Sequence, residues 1–237
     1  MNIKKGQLYL IPTVLAPGTN GQVLTSQIRE VITQTDHFFV ENIRTARRFI
    51  GELQTGKVID DIQFYELNKD TVLNDIRKHF SLLKEGKNVG VISEAGCPGI
   101  ADPGALAVKL AHEQGIRVIP LVGPSSILLA LMASGFSGQS FVFHGYLPID
   151  KGERARTVRQ MEKEALQKNQ TQIFMETPFR NNQLLEDLLT HCQPGTLLCI
   201  ASNITAPDEF IRTMTAKEWK ENKPDLHKKP TIFLLYK

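Results

Sequence analysis

The chain has 237 residues, of which 41% are hydrophobic and 22% charged, with a formal net charge of +3. That is enough for one large or two small cores, and too balanced a charge for a dedicated polycationic nucleic-acid binder. Three cysteines (Cys97, Cys192, Cys199) and six histidines show no disulfide framework and no metal-ligand spacing, so no metal is implied and a reducing, cytoplasmic setting is expected. No apolar run is long enough to span a bilayer, and residues 1–6 lack the apolar core of a signal peptide, so no membrane partner is expected.

Apolar runs bounded by Gly, Pro and Asn alternate with segments of helical period, the pattern of an α/β protein. Strands are predicted over 7–11, 37–40, 62–66, 88–93 and 117–122. Between them, Leu24, Ile28, Val31 and Ile32 mark one helix, residues 45–53 a second, and Val72, Ile76, Phe80 and Leu83 a third that ends at Gly86. A fourth runs over 105–114 to Gly115. These elements make an N-terminal α/β lobe over residues 1–122, and a short apolar helix over 125–134 leads onward. A C-terminal lobe over 123–237 then has predicted strands at 140–144, 172–175, 196–201, 209–214 and 231–236. Its helices are expected over 153–167 and 181–191, and the last three strands, with no long helix among them, imply a mixed sheet. The first sheet is expected to be mostly parallel.

The richest stretch for chemistry is Ser93-Glu94-Ala95-Gly96-Cys97-Pro98-Gly99-Ile100-Ala101-Asp102-Pro103-Gly104. Three glycines and two prolines in one strand-to-helix connection allow close backbone approach to a ligand while stiffening the turn. Such loops at the carboxyl ends of strands are where open α/β sheets bind ligands. The spacing fits neither the dinucleotide fingerprint nor a Walker loop, which argues against a Rossmann dehydrogenase or a P-loop ATPase. Asp102 is expected to cap the following helix. Gly123-Pro124-Ser125-Ser126, Met175-Glu176-Thr177-Pro178-Phe179-Arg180 and residues 12–21 are further strand-end loops, and together they point to one shared cleft. A basic run, Lys151, Arg154, Arg156, Arg159, Lys163 and Lys168, could track a phosphate backbone. It is interleaved with Glu153, Glu162 and Glu164, so a solvated helix face is an equal reading. Trp219 and the scattered aromatics form no base-stacking platform.

Taken in order, these motifs resemble the tetrapyrrole-methylase superfamily of S-adenosylmethionine-dependent enzymes, and within it the branch that 2′-O-methylates cytidine of small-subunit ribosomal RNA. Residues 93–104 match its Ser-Asp-Ala-Gly-Thr-Pro-x-Ile-Ser-Asp-Pro-Gly element, and residues 122–126 its Pro-Gly-Pro-Ser-Ala. Phe143-His144-Gly145-Tyr146-Leu147-Pro148, Gly152-Glu153-Arg154 and Glu176-Thr177-Pro178-Phe179-Arg180 are similar to three later elements. The chain departs from the branch at 12–18, at 40–44 and at 202–206, where two charges are missing. The resemblance implies a two-lobed fold with S-adenosylmethionine in the cleft between the lobes, and a homodimer. It places cofactor contacts at Leu10, Pro12, Leu15, Glu94, Ala95, Gly96, Pro98, Ile100, Ser125, Ser126, Ile127, Met175, Ala201, Pro230 and Thr231.

Methyl transfer from a sulfonium needs alignment, a base for the acceptor hydroxyl and a cation near the developing alkoxide. Glu41, Glu94 and Glu176 are the candidate bases, and Arg44 and Arg180 the candidate anion contacts. The leading expectation is 2′-O-methylation of RNA, with the small ribosomal subunit as the target the resemblance implies. Methylation of a small molecule such as a tetrapyrrole, and a non-catalytic descendant that binds cofactor or RNA, remain open alternatives.

Overall fold

The computed structural model of the protein describes residues 4–237, which divide after Ser125 into two compact units. The first runs β1 (Gln7–Ile11), α1 (Asn20–Val23), α2 (Ser26–Thr33), β2 (His37–Val40), α3 (Ile43–Glu52), a 3-10 turn (Ile59–Asp61), β3 (Gln63–Glu66), α4 (Leu73–Lys84), β4 (Val89–Ile92), α5 (Gly104–Glu113) and β5 (Arg117–Pro120). Its strands form a wholly parallel sheet in the order β3-β2-β4-β1-β5.

Strand alternation assigns each buried side chain to one face. Ile11, Phe38, Val40 and Ile92 pack with Ile28, Ile32, Phe49 and Ile50 of α2 and α3. Leu8, Phe39, Val89 and Val91 pack on the other side with Ile76, Phe80, Ala107 and Leu110 of α4 and α5. Neighbouring strands β1 and β4 therefore send their outgoing connections to opposite faces. Between two such strands the loops splay apart, and a crevice opens at the carboxyl edge of the sheet.

The second unit runs α6 (Ser126–Ser134), β6 (Phe141–Tyr146), α7 (Lys151–Lys168), β7 (Thr171–Met175), α8 (Asn181–His191), β8 (Leu197–Ser202), β9 (Phe210–Thr215), α9 (Ala216–Glu221) and β10 (Thr231–Tyr236). Its sheet has the order β6-β7-β10-β8-β9, parallel between β6 and β7 and antiparallel elsewhere. Phe174, Phe233 and Leu235 of the sheet meet Val158, Met161, Leu184 and Leu188 of α7 and α8, with Trp219 closing the core. The Trp219 indole N–H donates to the Leu198 carbonyl at 2.9 Å, so its one polar group is satisfied in the interior.

The short helix α9 goes beyond the sequence reading. Thr215 and Glu218 make a reciprocal capping box that starts it. Helix α7 begins at Lys151, two residues earlier than expected, because Asp150 accepts the Glu153 N–H at 2.8 Å. One member of the basic run is also corrected. Arg154 is only 4% exposed and is ion-paired with Asp187 of α8. Its Nε donates to Asp187 Oδ2 at 2.7 Å, and Nη1 donates to the carbonyls of Pro148 and Ile149 at 3.1 and 3.0 Å. It fastens the turn before α7 and is not part of a solvent-facing stripe.

Candidate active site

At the β1–β4 edge of the first unit, the two loops are joined by main-chain groups. The Thr13 N–H donates to the Gly96 carbonyl at 3.0 Å. Thr13 Oγ1 donates to the Ser93 carbonyl at 3.3 Å, and Ser93 Oγ donates to the Gly96 carbonyl at 3.0 Å. Gly96 sits at φ +72°, and a Cβ there would stand 3.2 Å from Leu15 Cδ2 and 3.3 Å from the Pro124 carbonyl oxygen. The loop after β5 approaches more closely still. A Cβ on Gly123 would lie 2.2 Å from Pro12 Cβ, so only glycine fits against the proline.

Asp102 holds the far end of the long loop. Its Oδ1 accepts the Gly99 and Gly104 N–H groups at 2.8 and 2.7 Å, closing the loop and capping the first amide of α5. Burial raises its carboxyl pKa, while these two amides act to lower it. The Cys97 thiol donates to the Pro124 carbonyl at 3.3 Å, and burial raises its pKa, so it is a packed thiol and not a nucleophile.

The loops after β1 and β4 border a cavity of about 260 Å³. Val14, Leu15, Val40, Ala46, Phe49 and Ile92 give it an apolar surface; Thr13, Thr45, Arg48, Glu52, Ser93 and Glu94 supply its polar lining. Leu15, Glu94 and Ala95 of the expected cofactor set line it. Leu10 and Pro12 lie at the end of β1, Gly96 and Pro98 are buried in the loop, and Ile100 is half exposed. Ser125 closes the first unit, and Ser126 and Ile127 open α6. The wall contributed by α3 is absent from the expected set. Thr45, Arg48, Phe49 and Glu52 recur at helical spacing just after a strand end, and that was the available signal.

Glu41 follows β2, and its Oε1 accepts the Glu94 N–H at 3.4 Å. Burial raises its carboxyl pKa from about 4.5; the Glu94 N–H opposes the shift, and the Asp102 and Glu94 carboxylates add to it. Two of the candidate acids thus stand together. Arg44 lies exposed in the first turn of α3, where Asn42 accepts the N–H groups of Arg44 and Thr45, and its guanidinium makes no ion pair among the described residues.

In the second unit, the expected residues gather at one end of the sheet. Ile232 pairs with both Met175 and Ala201, and Thr231 pairs with Ser202. The Pro230 carbonyl accepts the Asn203 N–H at 2.9 Å, and Thr231 Oγ1 donates to Ser202 Oγ at 3.2 Å. Glu176, just beyond β7, is buried and ion-paired with Arg180 at 2.7 Å, and it also accepts the Thr177 N–H at 2.6 Å. So engaged, Glu176 orients Arg180 and is poorly placed to take a proton. Among the described residues the Arg180 Nε has no hydrogen-bond partner.

The remaining basic residues of α7 separate from their acidic neighbours. Glu162 accepts the Gln193 N–H and the Thr196 hydroxyl, and Glu164 pairs with Lys168 and accepts from Gln160. Arg156, Arg159 and Lys163 are left exposed, with no ion pair among the described residues. No helix among the described residues is long and apolar enough to cross a membrane.

The family model described as Tetrapyrrole (Corrin/Porphyrin) Methylases matches residues 17–220. The ribosomal RNA small subunit methyltransferase I of Halalkalibacterium halodurans is 32% identical over 185 residues, a match covering 78% of this chain and 60% of that protein, less than two thirds of its length. The protein of the same name from Bacillus subtilis is 36% identical over 210 residues, covering 87% of this chain and 67% of its own. Among solved structures, the uroporphyrin-III C-methyl transferase from Thermus thermophilus complexed with S-adenyl homocysteine superposes with a TM-score of 0.57 over 98% of both chains, at 15% identity. That last likeness is one of fold.

Proposed function

Because the chain belongs to the tetrapyrrole (corrin/porphyrin) methylase family, we propose that it is an S-adenosylmethionine-dependent methyltransferase whose acceptor is a ribose 2′-hydroxyl of small-subunit ribosomal RNA. The observation that carries the reading is the crevice where β1 and β4 diverge, with loops drawn together by the Thr13–Gly96 hydrogen bond and a cavity beside them. The names and the sequence identity of the bacterial relatives support ribosomal RNA as the acceptor.

The donor set suits the cofactor. An apolar floor of Val40, Ile92 and Phe49 accommodates a purine, while Glu94 and Glu52 are carboxylates able to accept from ribose hydroxyls. We assign Leu15, Glu94, Ala95 and Gly96 to its binding; the family resemblance supports a part for Ser126, Ile127, Met175, Ala201 and Thr231. When bound, S-adenosylmethionine supplies an electrophilic methyl group on sulfur.

The chain's own part is orientation and proton handling. Glu41, with its raised pKa, is the base that accepts the hydroxyl proton of the acceptor, because a base titrating nearer neutrality transfers protons more effectively than an ordinary carboxylate. Arg180, held by Glu176, is the cation that meets the acceptor's phosphate or developing alkoxide. Arg44 is a second phosphate contact. The reaction would proceed in the cytoplasm, and the family resemblance supports a homodimer, with twice the 26.6 kDa chain mass in solution.

The test uses small ribosomal subunits, and separately their purified RNA, from cells deleted for the gene of this chain. Methyl-labelled S-adenosylmethionine should transfer label to one ribose, mapped by reverse-transcription stops at low nucleotide concentration. Protein that binds the cofactor yet labels neither substrate would overturn the RNA assignment.

A further inference from the structure

Phe179 is 69% exposed, in the loop between β7 and α8, directly before Arg180. An aromatic ring left in water forgoes the stabilisation of burial, yet this one sits in a firmly built frame. Its ring meets the His227 ring edge-on, with centroids 6.0 Å apart and planes at 75°. The Lys228 ammonium lies 5.9 Å from its centroid, within cation–π range.

The segment carrying His227 and Lys228 is clamped to the start of α8. The Lys228 N–H donates to the Pro178 carbonyl at 3.0 Å, with Lys228 itself in the left-handed region at φ 59°. Asn181, fully buried, donates from Nδ2 to the Lys229 carbonyl at 2.6 Å. Asn182 accepts the Leu226 N–H and donates to Asp225, each at 2.8 Å. Four long-range hydrogen bonds thus fix two loops so that the exposed ring stands beside the Lys228 ammonium.

Lys228 is the cation at the ring; Arg180, next in the chain, is ion-paired with Glu176, and Asp225 accepts from Asn182 and the His227 N–H. An exposed aromatic ring beside a lysine ammonium is complementary to an unpaired nucleotide, which offers a flat base and a phosphate together.

We propose that Phe179 is a stacking platform for an unpaired base of the RNA acceptor, with Lys228 and Arg180 meeting the adjoining phosphates. The inference rests on the RNA reading given above. It also revises the expectation from sequence that the aromatics form no such platform: the residues that build it are 48 positions apart in the chain (Phe179 and His227) and converge only through the asparagine clamps.

The test compares wild type, Phe179→Ala and Phe179→Trp for binding of a short single-stranded oligoribonucleotide of mixed sequence, its duplex, and S-adenosylhomocysteine. Loss of one stacked base should weaken single-strand binding about 5- to 150-fold in Phe179→Ala, with S-adenosylhomocysteine affinity unchanged. Phe179→Trp should bind as wild type, and its fluorescence should be quenched by the single strand while buried Trp219 contributes a constant background. Unchanged RNA affinity in Phe179→Ala would overturn the platform and leave the RNA reading standing. Equal losses of RNA and S-adenosylhomocysteine affinity would also overturn it, by making the ring structural. Wild-type protein that binds S-adenosylhomocysteine but no RNA would remove both readings at once.

Discussion

In the first unit, the contacts that hold the loops after β1, β4 and β5 all end on main-chain groups or glycines: a Thr13–Gly96 amide hydrogen bond, a left-handed Gly96, Gly123 against Pro12, and the Thr13, Ser93 and Asp102 side chains bonded to backbone N–H or carbonyl groups. In the second unit, the corresponding work falls to side chains: Glu176 with Arg180, Asn181 and Asn182 with the 225–229 segment, and Asp187 with Arg154. The difference follows from strand direction. A parallel sheet delivers every carboxyl terminus to one edge, so backbones crowd together and glycine becomes obligatory. In the mixed sheet, strand starts and strand ends share an edge, the loops are more varied, and polar side chains bridge them. Substitution tolerance should therefore differ in kind between the two units.

The largest effect is expected at the proposed base. Glu41→Gln should lower kcat about 10²- to 10⁴-fold with cofactor and RNA affinity kept. Glu41 must be ionised to accept a proton, and its pKa is raised, so wild-type kcat should fall with decreasing pH through a value above the usual 4.5 or so. The residual rate of the glutamine variant should lack that limb, and single-turnover rates across pH would show it.

Arg154→Met should come next, removing one partner of a buried pair and leaving Asp187 uncompensated, for a loss of about 3–5 kcal/mol. Urea unfolding followed by Trp219, the one tryptophan in the sequence and deep in the second unit, would measure it. Met was chosen to keep the packing volume, so a small loss there would mean that the pair contributes geometry and little stability.

In the first unit, Gly123→Val should cost about 1–3 kcal/mol by overpacking and should also separate the loops enough to abolish calorimetric binding of S-adenosylhomocysteine. Arg154→Met, by contrast, should leave that binding measurable. If Gly123→Val binds normally, the main-chain account of the first site is wrong.

The smallest effect is a pH dependence confined to the first unit. His37 and His79 flank Tyr65, with His37 Nδ1 3.0 Å from the tyrosine oxygen and the Tyr65 and His79 rings stacked at 3.8 Å. Burial, with Lys87 near His37 and Lys78 near His79, lowers both pKa values from 6.5, against smaller opposing contributions from Asp36, Glu85 and Asp75. Their neutral forms are favoured by folding, so the stability they contribute is present above pH 6.5 and lost as pH falls through the lowered values. His79→Phe should flatten the acid side of a stability profile read by hydrogen exchange in β2 and β3, while the second unit stays level.

Much of this was legible from residue order. Alternation and Gly/Pro punctuation locate the strands to within one or two residues, and the 93–104 loop stands out by composition, with its Ser93, Glu94 and Ala95 lining the cavity beside β1 and β4. What escaped was whatever depends on partners far along the chain. Arg154 sits in a run of basic residues and reads as solvent-facing until Asp187 is brought beside it. Asn181 and Asn182 look like unremarkable first-turn residues of a helix, yet they organise a segment more than forty residues later. Helix α9 was missed for a different reason: its six residues carry too little hydrophobic period, although Thr215-x-x-Glu218 was there to be read.

The position of two strands bears on how the chain is made. β1 is made before the other strands described, yet its neighbours are β4 and β5, so it must wait for residues 89–92 and 117–120 before pairing on either side. β10 comes last and lies at the centre of the second sheet, between β7 and β8. Neither sheet can therefore be completed strand by strand as the chain leaves the ribosome. The first half-built sheet exposes the edge of β1, and the second keeps two separated strand pairs apart until β10 arrives. The interval before each closure is when the nascent protein is most open to misassociation, and slowing translation just after the β5 codons should favour the first closure over aggregation.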